Sequence, residues 1–338
     1  MQFSHIASLL SLALVRVSSA TAISQASSSN LHLRQAPHHS LPVEVIHEFP
    51  IGTRLENLAV RQNGKVLATD VNHPALYQVD PIRGGSPELV SNSFGPVNGL
   101  VGIVETCPDT FYVVASNINL TTLTSTPGSN SVWKVDLTSG RVPAPTTKIA
   151  DIPDAGIPNG MALLDEEKGL ILIADSAVGV VWRLNVLTGE VLRAIDILAM
   201  HRPPPPALQV GVNGIKIREG ALYFTNTGTN ALYRLPIHPN GTAAANPSVV
   251  ASGLYVPDDF QFDNDGNIFL ALNVPGELIK VTPEGTKKVL VDNSTLTLPN
   301  PTAVQIGRTS AEYGSLYITE QGNSTRGGRL SRVDVGSE

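Results

Sequence analysis

Six short apolar segments of this 338-residue chain are each led by one oxygen-bearing side chain. Two of the six leads are carboxylates, and none is a thiol or an imidazole. If the fold brings them together, such hard oxygen donors suit Ca²⁺, with Mg²⁺ or Mn²⁺ next, far better than Zn²⁺ or copper. In chain order the lead residues are Glu56, Asn98, Asn159, Asn213, Asp258 and Thr302.

A simpler interpretation of the same residues is that they shape turns. Asn-Gly and Pro-Asp pairs favour the turn that enters a strand, and either pair accounts for a single segment. Turn chemistry does not account for Glu56, which is not a turn former, or for six leads in register. We therefore expect a ring of ligands for a divalent cation.

The elements that position these leads form a repeat. The leads are 42, 61, 54, 45 and 44 residues apart, and each segment is followed by a second strand-like stretch, as at 66–69 and 222–225. A third stretch alternates apolar and polar residues, as at 231–235, and an edge-like fourth leads into the next unit. Four strands per 40 to 60 residues are typical of a propeller blade. The sequence predicts an all-β fold, a six-bladed β-propeller with four antiparallel strands per blade.

The two ends of the chain have distinct compositions. The sixth unit ends after its third strand, and residues 43–49 can supply the missing outer strand, which closes the ring and protects its edge. An apolar run at 6–15 ends in small residues, as a secretory signal peptide does. We expect a signal peptide at 1–22, a disordered or pro-segment at 23–42 and a single propeller domain at 43–338.

Composition excludes several partners and sites. The formal net charge of −6, with both signs interspersed, offers no basic patch for nucleic acid or an anionic membrane. No phosphate-binding loop, dinucleotide fingerprint or serine-hydrolase elbow occurs, so no nucleotide cofactor is expected. The single cysteine excludes an intrachain disulfide. We expect a monomer that takes a small-molecule substrate.

Four Asn-x-Ser/Thr sequons are compatible with N-glycosylation and with passage through the secretory pathway, to a secreted or vesicular location. The acceptor residues are Asn119, Asn240, Asn293 and Asn323.

In a propeller the first strand of each blade lines the central axis, so the leads converge at one end of the channel. Loops between second and third strands, and the crossovers between blades, lie on the same face and form the pocket wall. Among the loop residues Asp70, Ser176, Asn226, Asn273 and Gln321 are candidates. The residues that we expect to bind substrate are Asn98, Asn117, Asp175, Thr302 and Glu320.

Two histidines, His73 and His201, lie in these loops and could act as a general acid or base at physiological pH, beside Asp258. The alternative is that each is an ordinary surface histidine. His201 precedes Arg202 and four prolines at 203–206, a stiff segment expected over the mouth of the channel.

The set of Glu56, Asn159, Asn213 and Asp258, in Pro-Asn-Gly and Pro-Asp contexts, resembles the senescence-marker-protein/gluconolactonase family, which includes regucalcin. The resemblance runs from about Val43 to Val335. It implies that Glu56, Asn213 and Asp258 are metal ligands and that Asn159 binds metal or substrate. The family's usual Glu-Gly-Pro and Pro-Asp-Gly are here Glu56-Asn57-Leu58 and Pro257-Asp258-Asp259.

The first-blade sequence from Glu56 to Arg61, together with the signal peptide, resembles a fungal secreted branch of this superfamily. Some members of that branch are hetero-Diels–Alderases, which join a tropolone-type quinone methide to a terpene alkene such as humulene. The resemblance implies such a cyclase of secondary metabolism. Two alternatives stay open, a Ca²⁺-dependent lactone hydrolase and a non-catalytic ligand-binding propeller.

Overall fold

The computed structural model describes residues 40–336 and shows six four-stranded antiparallel sheets arranged as the blades of a propeller. The predicted fold is therefore confirmed. The expected signal peptide and residues 23–39 of the expected pro-segment lie outside the described residues. Within the described part of the chain, no helix has the length and apolarity that crossing a bilayer requires.

The strands follow in chain order, and each blade runs from its innermost to its outermost strand. The chain starts with β1 (Val43–Glu48), and blade 1 follows with β2 (Leu55–Val60), β3 (Val66–Asp70), β4 (Ala75–Val79) and β5 (Glu88–Ser91); blade 2 has β6 (Gly99–Cys107), β7 (Thr110–Ser116), the inserted hairpin β8 (Ile118–Asn119) and β9 (Thr124–Ser125), β10 (Ser131–Asp136) and β11 (Thr146–Asp151). Blade 3 has β12 (Pro158–Asp165), β13 (Leu170–Asp175), β14 (Val180–Asn185) and β15 (Val191–Asp196), and blade 4 has β16 (Val212–Arg218), β17 (Ala221–Asn226), β18 (Ala231–Pro236) and β19 (Ser248–Ser252). Blade 5 has β20 (Pro257–Phe262), β21 (Ile268–Leu272), β22 (Glu277–Val281) and β23 (Lys287–Val291), and blade 6 has β24 (Pro301–Ile306), β25 (Ser315–Glu320) and β26 (Arg329–Asp334). Short 3₁₀ turns occupy Leu198–Met200, Asn293–Thr295 and Ser310–Glu312.

The ring is closed by β1, which pairs antiparallel with β26 and becomes the outer strand of blade 6. Two ion pairs reinforce this junction, Arg329 with Glu48 and Arg332 with Glu44, each at 2.7 Å. The pairing confirms the predicted closure. Because β26 lies between β1 and β25, it has no unpaired edge.

The hydrophobic core lies between neighbouring blades rather than at the centre of the molecule. One cluster packs Leu67 and Leu76 of blade 1 against Phe111 and Val113 of blade 2, and five further clusters are also found. Because the apolar side chains are used between sheets, the channel itself can be lined by polar groups.

Glycine lets the inner strands of adjacent blades approach each other closely. A Cβ on Gly102 would lie 1.9 Å from the Asn159 carbonyl oxygen, and one on Gly160 would lie 2.4 Å from that of Asn213. Neither glycine has a positive φ. The Asn-Gly pairs at 159–160 and 213–214 therefore serve close packing at the axis and not a turn.

Threonine side chains of the second strands connect three of the blades to the next blade. The Oγ1 of Thr69 donates to the carbonyl of Val101 at 2.7 Å, and the Oγ1 of Thr225 donates to that of Asp258 at 2.7 Å. Thr319 makes the equivalent contact with the Glu56 carbonyl at 3.3 Å, across the seam. These contacts hold the backbone of the inner strands and thereby fix the side chains that face the channel.

Candidate active site at the channel mouth

Five of the six predicted lead residues, Thr302 included, occupy one equivalent position, the second residue of the inner strand. Glu56, Asn159, Asn213 and Asp258 are each between 6% and 8% exposed and line one central cavity of about 110 Å³. The strand pairs that precede them fix this position. They are Leu55 with Asp70, Pro158 with Asp175, Val212 with Asn226 and Pro257 with Leu272.

In blade 2 the ring position belongs to Val101, and its assignment to Asn98 was wrong. The pairs Leu100–Ala115 and Ile103–Val113 match the register of the other blades and place Val101 between them at the axis. Asn98 lies three residues earlier and is exposed. Its side chain exchanges hydrogen bonds with the backbone of Ile118, at 2.8 and 2.9 Å, and so anchors the inserted hairpin.

Thr302 holds the ring position of blade 6, but its hydroxyl does not line the central cavity. The fully buried Oγ1 contacts the Leu55 carbonyl at 3.3 Å and the Thr319 hydroxyl at 2.9 Å. Thr302 is therefore a connection between blades 6 and 1. The side chain that blade 6 supplies to the cavity is Gln321, whose Nε2 donates to Glu56 Oε2 at 3.0 Å.

Amide groups separate the two carboxylates of the ring. Asn159 Nδ2 donates to Glu56 Oε1 at 3.2 Å, and Asn213 Nδ2 donates to Asp258 Oδ1 at 2.8 Å. We call Glu56, Asn159, Asn213, Asp258 and Gln321 the polar floor.

Burial dominates the electrostatics of the polar floor. It raises the pKa of Asp258 well above its usual range, with further contributions from the charges of Glu56 and Asp259. Burial also raises the pKa of Glu56, against the opposing effect of hydrogen bonds from Gln321 and Asn159. Two buried carboxyl groups thus lie close together and repel each other when both are charged.

The charge directly behind the polar floor is already compensated. Lys216 Nζ contacts both carboxylate oxygens of Asp259, at 2.6 and 2.7 Å, and Asn57 Nδ2 reaches Asp259 at 3.4 Å. No lysine or arginine forms such an ion pair with Glu56 or Asp258 among residues 40–336.

The donor set of the polar floor fits a hard divalent cation, since it offers two uncompensated carboxylates and amide oxygens around a single position. In the described part of the chain, no cluster of three or more His, Cys, Asp or Glu side chains is arranged to hold a metal ion. A cation here would consequently depend on Asn159 and Asn213 as well as on the two carboxylates.

The sides of the central cavity are mainly apolar, and we call them the apolar wall. Blade 2 contributes most, through Val101 and the inserted hairpin. The hairpin places Leu120 and Leu123 in the lining of the central cavity, and Leu123 adopts a left-handed backbone conformation with φ of 51°. The complete apolar wall consists of Val71, Val101, Ile118, Leu120, Leu123, Ile157, Leu208, Val210 and Val256.

An outer cavity of about 580 Å³ adjoins the central one, because the two share Arg54, Ile118 and Leu120 as lining residues. Asn98 and Asn117 both line this outer cavity, whereas neither lines the central one. Arg54 is partly buried, and its guanidinium forms no hydrogen bond or ion pair with another described residue. It places an unpaired positive charge at the boundary of the two cavities.

The two predicted catalytic histidines do not line the central cavity. His73 Nδ1 lies 2.8 Å from Asp70 Oδ2, and His201 Nε2 lies 2.7 Å from Asp196 Oδ1. Both rings are about half exposed. The structure therefore places them as surface histidines paired with acids, apart from the polar floor.

Asp175 and Glu320, predicted to bind substrate, are fully buried and hold loops in place. Asp175 accepts hydrogen bonds from the backbone of Gly156 at 2.8 Å and from Trp182 Nε1 at 3.1 Å. Glu320 accepts from Ser331, and its Oε2 lies 3.6 Å from Arg326 Nη1. Neither carboxylate lines the central cavity.

The four sequon asparagines are all exposed, so each could carry a glycan without disturbing the core. Asn119 lies in the hairpin itself and lines the outer cavity.

Sequence reasoning missed the residues that shape the wall. Leu120, Leu123 and Val101 belong to blade 2, where the lead spacing of 61 residues signals an insertion. Arg54 precedes the first lead by two residues. Its position beside Glu56 in the repeat is a signal that could have identified it.

No family model matches the chain. A protein of Phoma sp named "Putative hetero-Diels-Alderase" is 32% identical over 310 residues, covering 82% of this chain and 86% of that protein. The "Putative hetero-Diels-Alderase asR5" of Sarocladium schorii is 28% identical over 319 residues, covering 82% and 78%.

Among solved structures, a calcium-binding regucalcin from Agrobacterium tumefaciens superposes with a TM-score of 0.59 at 14% identity, covering 87% of this chain and 94% of that one. A gluconolactonase from Xanthomonas campestris gives a TM-score of 0.59 at 14% identity, covering 88% and 90%. At this identity the likeness concerns the fold.

Fold and site together define a six-bladed propeller with a cavity at one mouth of its channel. The chain belongs to the family of the putative hetero-Diels–Alderases, and it shares the propeller fold of the regucalcin and the gluconolactonase.

Proposed function

We propose that this protein is a secreted hetero-Diels–Alderase-type cyclase, which joins a tropolone-like quinone methide to a terpene alkene such as humulene. The names of its relatives support the cyclase class. The observation that carries the proposal is the division of the central cavity into a polar floor and an apolar wall. The two reactants of a hetero-Diels–Alder reaction differ in the same way, one rich in oxygen and one a hydrocarbon.

The cavity acts by holding the two reactants together. The amides of Asn159 and Gln321 can hydrogen-bond an oxygenated ring, while Leu120 and Leu123 pack against the alkene. Fixing two reactants in a near-attack geometry can contribute about 7 to 11 kcal/mol to lowering a barrier. The central cavity is smaller than typical ligand pockets of roughly 300–1,000 Å³, so the remainder of the substrates extends into the outer cavity.

The polar floor would hold a divalent cation, most suitably Ca²⁺, through Glu56, Asn159, Asn213 and Asp258. Such an ion supplies Lewis acidity toward a substrate oxygen. The protein's own residues fix the orientation of that oxygen and exclude water around it. Secretion is part of the proposal, and it rests on the signal-like segment at 1–22 and on the exposed sequons.

A lactone hydrolase is the second candidate, supported by the buried carboxylates of the floor. Hydrolysis needs a positioned base for water, and His73 and His201 are both outside the central cavity. Asp258 would have to serve alone, and it is already bonded to Asn213. The geometry therefore favours the cyclase.

The test is to incubate the purified protein with a quinone-methide precursor plus humulene and, separately, with a panel of lactones, and to analyse products by mass spectrometry. We expect an adduct with the summed mass of the quinone methide and humulene, formed faster than without protein. Lactone hydrolysis without adduct formation would overturn the proposal, and the absence of both products would favour a ligand-binding propeller.

A further inference from the structure

The hydroxyl group of Ser176 has no hydrogen-bond partner among the described residues, whereas the polar groups next to it are hydrogen-bonded. The residue is 3% exposed and lines the central cavity. In the described part of the chain, its Oγ is a buried side-chain atom that makes no hydrogen bond.

The backbone of Ser176 is held on both sides. Its amide donates to the Ile157 carbonyl at 2.8 Å, and its carbonyl accepts from the Gly211 amide at 2.8 Å. These bonds connect it to the segments that carry Ile157 and Val210 of the apolar wall. The position of the Ser176 hydroxyl is therefore set by rigid backbone and not by its own bonding.

The nearest carboxylate cannot satisfy this hydroxyl. Asp175 Oδ1 accepts from the amides of Ile157, Ala177 and Val178, at 3.0 to 3.1 Å, and its Oδ2 is taken by Gly156 and Trp182. Buried hydroxyl groups are normally hydrogen-bonded, and an exception calls for a missing partner. The surroundings of Ser176 leave the cavity as the source of that partner.

We propose that the Ser176 hydroxyl donates a hydrogen bond to the carbonyl oxygen of the bound oxygenated substrate. This inference rests on the proposed function and identifies a catalytic residue for it. In the cycloaddition one C–C and one C–O bond form, three π bonds are consumed and one new C=C bond appears. No proton or electron leaves the substrates, and the hydroxyl is unchanged.

The hydrogen bond accelerates the reaction because it withdraws electron density from the heterodiene as the oxygen attacks. Preorganised donors of this kind contribute most where the cavity is dry and the donor is already in place. Because Ser176 lies beside the apolar wall, its hydroxyl holds the heterodiene oxygen next to the alkene and not at the centre of the polar floor.

The first experiment measures binding and needs no turnover. Calorimetry with tropolone compares the full chain with S176A and with S176C, which fills similar space with a weak donor. We expect affinity to fall about tenfold in S176A and less in S176C, as loss of one hydrogen bond predicts. Equal affinity of the wild type and S176A, or no tropolone binding to the wild type, would overturn the inference.

The second experiment measures turnover and stability. S176A should lower kcat for adduct formation about 100-fold with an unchanged KM for the alkene, and Tm should not fall, because no bond within the protein is lost. S315A is the control. Ser315 donates to Asp334 at 2.7 Å and does not line the central cavity, so S315A should lower Tm and leave kcat unchanged.

A wild-type protein that binds tropolone through Ser176 but forms no adduct contradicts the proposed function and supports the contact. A wild-type protein that forms adduct as fast as S176A does contradicts this inference and supports the proposed function.

Discussion

Asn213 and Asp258 belong to neighbouring blades, and the amide of the first donates to the carboxylate of the second over 2.8 Å. Thr227 fixes the same amide, since its Oγ1 accepts from Asn213 Nδ2 at 3.1 Å and donates to the Pro257 carbonyl at 2.7 Å. The floor is therefore assembled across blade boundaries, and its geometry depends on the closed ring.

Removing both carboxylates should abolish cation binding. In the double variant E56Q/D258N the floor keeps its shape and loses two negative charges, so Ca²⁺ should no longer bind in calorimetry. D265N, which changes an exposed carboxylate, should bind as the wild type does. An unchanged Ca²⁺ affinity in the double variant would contradict the ligand assignment.

The same cation should stabilise the folded protein. A ligand present at 100 times its Kd adds about 2.7 kcal/mol to the free energy of unfolding. Calcium should therefore raise the Tm of the wild type, and chelation should reverse the increase. If E56Q/D258N shows the same calcium-dependent Tm, the ion binds elsewhere.

Arg54 should determine affinity for oxygenated ligands. Hydrogen bonds to a charged group contribute about 1.5 to 3 kcal/mol, so R54M should weaken tropolone binding about 10- to 100-fold, and R54K should weaken it less. Tropolone binding by the wild type should also weaken more with rising salt than binding by R54M does, because salt screens the charge of Arg54. Titration calorimetry at two ionic strengths measures both effects, and equal affinity of R54M and wild type would exclude this role.

The inserted hairpin should determine affinity for the hydrocarbon reactant. L120N keeps the approximate size of the side chain but removes its apolar character, and burying a leucine contributes about 1.5 to 3 kcal/mol. We expect KM for the alkene to rise 10- to 100-fold. L187N is the matched control because Leu187 is 72% exposed and does not line the central cavity. Similar KM values in both variants would show that the hairpin does not contact the alkene.

Glu320 should make stability depend on pH. Burial raises the pKa of Glu320 to about 7 in the folded protein, above its value of 4.5 in an unconstrained chain. The unfolded chain thus releases this proton near pH 4.5, while the folded protein keeps it up to about pH 7. The stability that the protonated Glu320 gives the folded state is therefore complete below pH 4.5 and is lost between pH 4.5 and about 7.

E320Q lacks this titration. Its free energy of unfolding relative to wild type should increase by about 3 kcal/mol from pH 4.5 to 8. Urea unfolding at several pH values measures the difference, with D265N as the control. A difference that does not change with pH would mean that Glu320 stays charged in the folded state.

Repetition is the reason that the fold was predictable. Each blade needs an inner strand, a turn and an alternating third strand, and the sequence repeats these requirements at 56, 159, 213 and 258. The ring residues were found because they occupy a repeated position.

The error at Asn98 occurred where blade 2 departs from the repeat. At 98–99 an Asn-Gly pair imitates the ring motif, but strand register places Gly102 at the close approach and Val101 at the axis. Thr302 was misjudged because its sequence position gives no information about which way its hydroxyl turns. Apart from Val101 on β6, the wall residues come from loops and from the inserted hairpin, and these segments do not repeat.

The pairing of β1 with β26 means that blade 6 is the blade whose third and fourth strands are joined by hydrogen bonds and ion pairs and not by a loop. Residues 43 and 335 consequently mark a cut inside blade 6, and a loop elsewhere in the ring is an equivalent place for the cut. A circular permutant with these ends linked and new ends opened between blades 5 and 6 should therefore assemble the same floor and retain the same ligands.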